Sequence, residues 1–170
     1  MKRLLLLLGA SLALSGCGLQ PLYGGGTHSA AASTLANVGV APIPGRQGWL
    51  LRNAIVDRIG DNGESAHYRL DIKLDDKIEG FGIRSDATTT RERRTLRARY
   101  QLVDTTSGKA MIDATAGSDI GIDIVNSEYA TIAAEQTALE RLADRLADQI
   151  VTRIAIVAKK QADQGKAPVQ

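Results

Sequence analysis

The chain has 170 residues, of which 21 are Lys or Arg and 19 are Asp or Glu, for a formal net charge of +2. That length fits one domain, and a single cysteine excludes both an internal disulfide and a multi-cysteine zinc site. The positive balance is local: residues 1–16 hold Lys2, Arg3 and no acid. The remainder therefore carries 19 charges of each sign and lacks the basic surplus expected of a nucleic-acid binder.

A basic start, Met1-Lys2-Arg3, is followed by an almost wholly apolar run over residues 4–14 and by the small residues Ser15 and Gly16. This is the layout of a secretory signal peptide, and the run is shorter than the ~20 residues of a membrane-spanning helix. Leu14-Ser15-Gly16-Cys17 resembles the lipobox of bacterial lipoproteins. The resemblance implies cleavage before Cys17, a diacylglyceryl group on its sulfur and an acyl chain on its new amino terminus. The alternative is an ordinary cleaved leader that leaves a free thiol. Two or three acyl chains would anchor the protein stably, since each buried methylene contributes about 0.8 kcal/mol.

Residues 17–36 read as the lipidated cysteine and a flexible tether. Gly24-Gly25-Gly26 and the Thr, Ser and Ala residues that follow bury little, and about 19 such residues reach roughly 25 Å. A single domain is expected over residues 37–158, with a disordered tail over 159–170.

Within the domain, residues 38–43 are short and β-branched and end at Pro44-Gly45, which predicts a strand. Residues 49–59 carry Leu51, Ala54, Ile55 and Ile59 at helical spacing, and Gly60 with Asp61-Asn62-Gly63 stops that helix. Tyr68, Leu70, Ile72 and Leu74 alternate with polar residues, the pattern of a half-buried strand that Gly80-Phe81-Gly82 loosens at its end. Residues 88–103 alternate again, with Leu96, Ala98, Tyr100 and Leu102 on one face. After a hairpin-like 104–108 connection, Ala110, Ile112, Ala114 and Ala116 form a third alternating strand, weakened by Gly117 and Gly121. A final stripe, Ile132, Leu139, Leu142, Leu146, Ile150, Ile154 and Val157, predicts a helix over 127–158 with Asn126 or Ser127 as N-cap.

The predicted order is β-α-β-β-β-α. An α+β two-layer sandwich, with two helices packed on one face of a four-stranded mixed sheet, satisfies every apolar stripe.

Catalytic chemistry is thin. His28 lies in the tether and His67 at the start of a strand, neither with a nucleophile-and-base arrangement. Asp75-Asp76 with Glu79 lacks the spacing of a calcium loop. The triple glycine lacks the Gly-Lys-Ser/Thr ending of a phosphate loop. No enzyme and no metal site is expected.

The standout is a cluster of arginines at 91, 93, 94, 97 and 99. On an extended strand Arg91, Arg93, Arg97 and Arg99 share the face opposite the core, and Arg94 lies on the other side. Two readings stay open. The arginines contact an anion (lipid phosphates or acids on a partner protein), or they pair across the ladder with Asp71 and Asp75, which contributes tenths of a kcal/mol each.

Cys17-Gly18-Leu19-Gln20-Pro21-Leu22-Tyr23-Gly24, the run from Arg46 to Asn53 and the Ser127-Glu128-Tyr129-Ala130 start of the last helix together resemble the LPS-assembly lipoprotein (LptE) family. So do the Leu142-Ala143-Asp144 and Leu146-Ala147-Asp148-Gln149-Ile150 runs, and the element order agrees. The resemblance implies a non-enzymatic protein at the outer membrane, on its periplasmic side or inside a barrel lumen. Its implied partners are lipopolysaccharide and the LPS-assembly β-barrel, LptD. It would plug that barrel, assist its assembly and help deliver lipopolysaccharide to the surface, with the arginines at 91, 93, 94, 97 and 99 as candidate contacts. No cofactor is implied beyond the acyl groups on Cys17. The competing expectation is a periplasm-facing lipoprotein that binds a small ligand or a peptidoglycan-associated partner. With one Phe and one Trp, the chain has few aromatics with which to line such a pocket.

Overall fold

The computed structural model describes residues 30–60, 62–83, 89–125 and 127–165. In chain order the elements are α1 (Ala30–Leu35), β1 (Val38–Val40), α2 (Gly45–Ile59), a 3-10 turn (Gly63–Ser65), β2 (Tyr68–Ile83), β3 (Thr89–Asp104), β4 (Ala110–Asp123) and α3 (Glu128–Gly165). The strands form one sheet in the order β1-β2-β3-β4. β1 runs parallel to β2, and the other neighbours are antiparallel. This is the expected α+β sandwich.

The alternation of β2 to β4 becomes burial. Leu70, Ile72, Leu96, Ala98, Tyr100, Leu102, Ile112 and Ala116 face inward, where Leu142, Leu146, Ile150 and Ile154 of α3 cover them. Leu51 and Ile55 of α2, both fully buried, extend the same layer. α2 is fastened to α3 at Arg58, whose Nε lies 2.7 Å from Asp148 Oδ1 and whose Nη2 lies 3.5 Å from Asp144 Oδ1. Gly48 explains how α2 can begin so close to β1. A Cβ at that position would stand 2.5 Å from the Ile43 carbonyl oxygen, so only glycine lets the Pro42–Pro44 corner fold onto the helix.

Four expectations are corrected at element ends. The tether does not extend to residue 36: 30–35 form α1, with Ala31 and Leu35, one helical turn apart, buried in the core. Alanine favours helix intrinsically, and docking on α3 supplies what so short a helix lacks alone. β1 is shorter than 38–43, because Ala41 N–H makes the last bond to β2 (Leu70 O, 3.0 Å) and the prolines that follow take the chain away. The helix of α3 continues to Gly165, so 159–165 are not a disordered tail. At 38 residues α3 is about 57 Å long, longer than the core it covers. At its start Ile132, expected in the buried stripe, is 54 % exposed. The N-cap expectation at Ser127 matches a bond, with its Oγ accepting the Ala130 N–H at 3.4 Å. Asn126, the leader, Cys17, His28, the glycine triplet and the last five residues lie outside the described residues.

Candidate functional site

Alternation places the odd-numbered residues of the three long strands on the solvent face. β2 alternates in sign through Arg69, Asp71, Lys73, Asp75, Lys77 and Glu79, whereas β3 is basic and β4 supplies Asp113, Asp119 and Asp123. The register puts basic β3 between the two.

The arginines separate into distinct environments. Arg91 Nε donates to Asp123 Oδ1 at 2.7 Å. Arg93 Nε is 3.8 Å from Asp119 Oδ2, with its guanidinium carbon 5.1 Å from the centre of the Phe81 ring. Arg99 holds Asp113 through two bonds, Nε at 3.3 Å and Nη2 at 3.1 Å, and Gln101 Nε2 adds a third at 2.9 Å. These donors, Arg99 foremost, keep the Asp113 carboxyl below the usual carboxylate range. Arg97 has no carboxylate oxygen within 4 Å among the described residues.

Two corrections follow. The acids that meet these arginines are on β4, whereas Asp71 and Asp75 pair with Arg69 (3.1 Å) and Lys77 (3.8 Å) of their own strand. Arg94 is no surface contact. Its side chain is 12 % exposed, its Nε and Nη2 donate to Asp76 at 3.0 and 2.6 Å, and its Nη1 donates to the Glu135 carbonyl at 3.0 Å. It fastens the start of α3 to the sheet, and burial beside Asp76 makes it a structural ion pair.

The remaining sequence candidates take ordinary places. His67 is exposed, 3.7 Å from Asp104 and edge-on to Tyr68. Among the described residues no group of three metal-ligating side chains comes together. Among the same residues no helix is long and apolar enough to cross a membrane.

Sequence reasoning missed the far end of the sheet. The register brings the end of β2, the start of β3 and the end of β4 together, and α3 starts beside them. Five of the six large apolar side chains exposed among the described residues gather there: Ile78, Phe81, Val125, Tyr129 and Ile132. Tyr129 is 85 % exposed. On the inner side of the same end, Glu92 carries a buried carboxylate oxygen with no hydrogen-bond partner among the described residues. A groove of about 450 Å³ runs between Ile120 and Ile122 of β4 and Ala133, Ala134 and Thr137 of α3. The available signal was a stripe that began about two turns before the core did.

These features define a class of protein: a small α+β domain with its surface chemistry concentrated on one charged sheet face and one apolar end. Comparison narrows the class. The family model described as LptE, lipopolysaccharide-assembly, matches residues 35–154, and the chain belongs to that family. It is therefore a non-enzymatic protein of lipopolysaccharide assembly. A candidate lipoprotein of Caulobacter crescentus CB15 is similar in structure, with a TM-score of 0.64 and 25% identity, covering 75% of this chain and 95% of that one. Two further likenesses show the shared fold. The minor lipoprotein of Acinetobacter baumannii has a TM-score of 0.54 at 17% identity, covering 70% of this chain and 91% of its own. Rare lipoprotein B of Shewanella oneidensis has a TM-score of 0.53 at 9% identity, covering 74% and 97%. No curated protein matches the chain in sequence.

Proposed function

We propose that this chain is an outer-membrane lipoprotein, anchored through acyl groups on Cys17. It docks in the lumen of the LPS-assembly β-barrel, LptD, assists the barrel's assembly and helps pass lipopolysaccharide to the cell surface. The observation that carries this reading is the family match over residues 35–154, which takes in every strand and most of α3. The leader ending Leu14-Ser15-Gly16-Cys17 and the lipoprotein neighbours support the anchor.

The apolar end supports docking. Ile78 on the helix side of the sheet and Tyr129 and Ile132 at the start of α3 are exposed at one end of the domain, with Phe81 on the other face of the same end, and exposed apolar side chains grouped in this way mark interaction surfaces. Arg91 and Arg93 border the same end, where lipid phosphates or partner acids would meet them.

Depletion of the protein from living cells tests the proposal. Folded barrel and surface lipopolysaccharide should fall together. Normal barrel level, normal barrel folding and normal surface lipopolysaccharide after depletion would overturn the docking role.

A further inference from the structure

β4 is the outer strand of the sheet, and among the described residues no strand lies beyond it. The bonds at the opposite margin fix which of its backbone groups are left open. Tyr68 N–H donates to Asn37 O, and Leu70 O accepts from Ala41 N–H, both at 3.0 Å. The even-numbered residues of β2 therefore point to β1 and the odd-numbered ones to β3. In an antiparallel pair, residues that exchange both bonds stand directly opposite each other. Carried through the Asp75–Arg97 and Ala98–Ala116 pairs, the even-numbered residues of β4 point to β3 and the odd-numbered ones to the open edge. Gln149 of α3 agrees with this direction, because its Nε2 reaches the Gly117 carbonyl at 3.4 Å.

That bond covers the edge at Gly117. Beyond it, the main-chain N–H and C=O groups of Asp119, Gly121 and Asp123 meet no further strand among the described residues. Edge strands are ordinarily guarded by lysines or prolines, and residues 110–123 contain neither. Nor do the aspartates guard it. Arg93 and Arg91 of β3 draw Asp119 and Asp123 back over the sheet, at 3.8 and 2.7 Å. On the inner side of the same stretch lies the groove of about 450 Å³, between Ile120 and Ile122 and the Ala133, Ala134 and Ala138 of α3. A strand laid on this edge would send alternate side chains into the groove and onto the solvent face.

We propose that residues 119–123 of β4 receive an extended segment of a partner polypeptide by strand addition, one in which aliphatic residues alternate with basic ones. In this mode the main chain supplies affinity, and pockets for alternate side chains supply selectivity. The alanines of the groove leave room for an aliphatic side chain, and Arg141, which also lines it, disfavours a cationic one. On the solvent face the added residues stand opposite Asp119 and Asp123, where a basic side chain is favourable and an acidic one is not. A second copy of this chain fits less well, since two β4 edges paired about Gly121 would set Asp119 against Asp123 twice. The proposal does not rest on barrel docking, because the edge and the groove belong to this domain alone.

The test is titration of the full chain, in a nonionic detergent, with an acetylated and amidated heptapeptide of alternating Lys and Val. Binding should slow hydrogen exchange at the Asp119, Gly121 and Asp123 amides. The same peptide N-methylated at every residue keeps its charge and apolar surface but cannot donate to the edge. It should bind at least about tenfold more weakly, as expected for loss of two or more backbone hydrogen bonds. A Glu and Val peptide should bind more weakly than the Lys and Val one. Gly121→Pro removes an edge N–H without breaking the bonds to β3, and a Cβ at that position meets nothing within 4 Å. It should lose binding about as far as methylation of the peptide does, whereas Gly121→Ala should bind like the native chain. If Gly121→Pro does not fold, the methylated peptide decides alone. Failure of the Lys and Val peptide to bind, equal binding of its methylated form, or native affinity in folded Gly121→Pro would overturn the assignment. Self-association of the chain that Gly121→Pro abolishes would also overturn it, by making a second copy the occupant.

Discussion

Asp76→Ala is expected to destabilise the domain by about 2 kcal/mol, less than the cost of stripping one partner from a fully buried ion pair because the pair is part-buried. The position looks like one acid among several on a polar strand, yet its side chain is only 15 % exposed and answers both Nε and Nη2 of Arg94. Removing it leaves a guanidinium that is charged at all working pH values, with one carbonyl acceptor remaining, Glu135 O. By contrast Asp123→Ala, which breaks the exposed 2.7 Å pair with Arg91, should stay within about 0.5 kcal/mol. Urea unfolding of the two variants decides the matter. The double variant Asp76→Leu/Arg94→Met should recover most of the loss, since apolar side chains of similar size can replace a buried pair. Amide exchange should also quicken in the first turns of α3, which Arg94 holds to the sheet. An Asp76→Ala protein that unfolds like the native one would show that the bond contributes nothing.

Cys17→Ala should have the largest effect on where the protein resides. Two or three acyl chains make anchoring effectively stable, and without them partition into the membrane should fall by orders of magnitude. The variant should accumulate as a soluble or unprocessed form whose domain still folds, because the core formed by the described residues runs from Ala31 onward and does not use Cys17. Intact mass of the native protein extracted from membranes should show loss of residues 1–16 plus acyl mass. An unmodified Cys17, or cleavage elsewhere, would contradict the anchor.

The elements legible in the sequence are those whose periodicity is long and carried by large side chains. Leu142, Leu146, Ile150 and Ile154 can belong only to one helical face, and the alternation from Leu96 to Leu102 only to a half-buried strand. α1 was illegible because its evidence is alanine, which signals neither core nor linker; only Leu35 distinguishes it, and its burial depends on α3. Ile132 misled for the opposite reason. It keeps the helical period, but the sheet beneath it has ended, and periodicity carries no information about where a partner layer stops. The arginine cluster was legible as a face yet not as a set of pairs. Which acid meets Arg91 or Arg99 depends on the β3–β4 register, with its irregularity between Leu102 and Val103, and no local pattern encodes it. Arg94 could be placed on the inner side, but its role needed Asp76 and the Glu135 carbonyl, 18 and 41 residues away.

The central claim is that this domain works by occupying a barrel, and its most direct test is purification of the full-length protein from native membranes under mild detergent, with mass spectrometry of whatever remains bound. A stoichiometric LPS-assembly β-barrel, lost when Tyr129 and Ile132 are both replaced by aspartate at unchanged stability, is the predicted result. Recovery of the protein without any barrel, from membranes in which that barrel is present and folded, would contradict it.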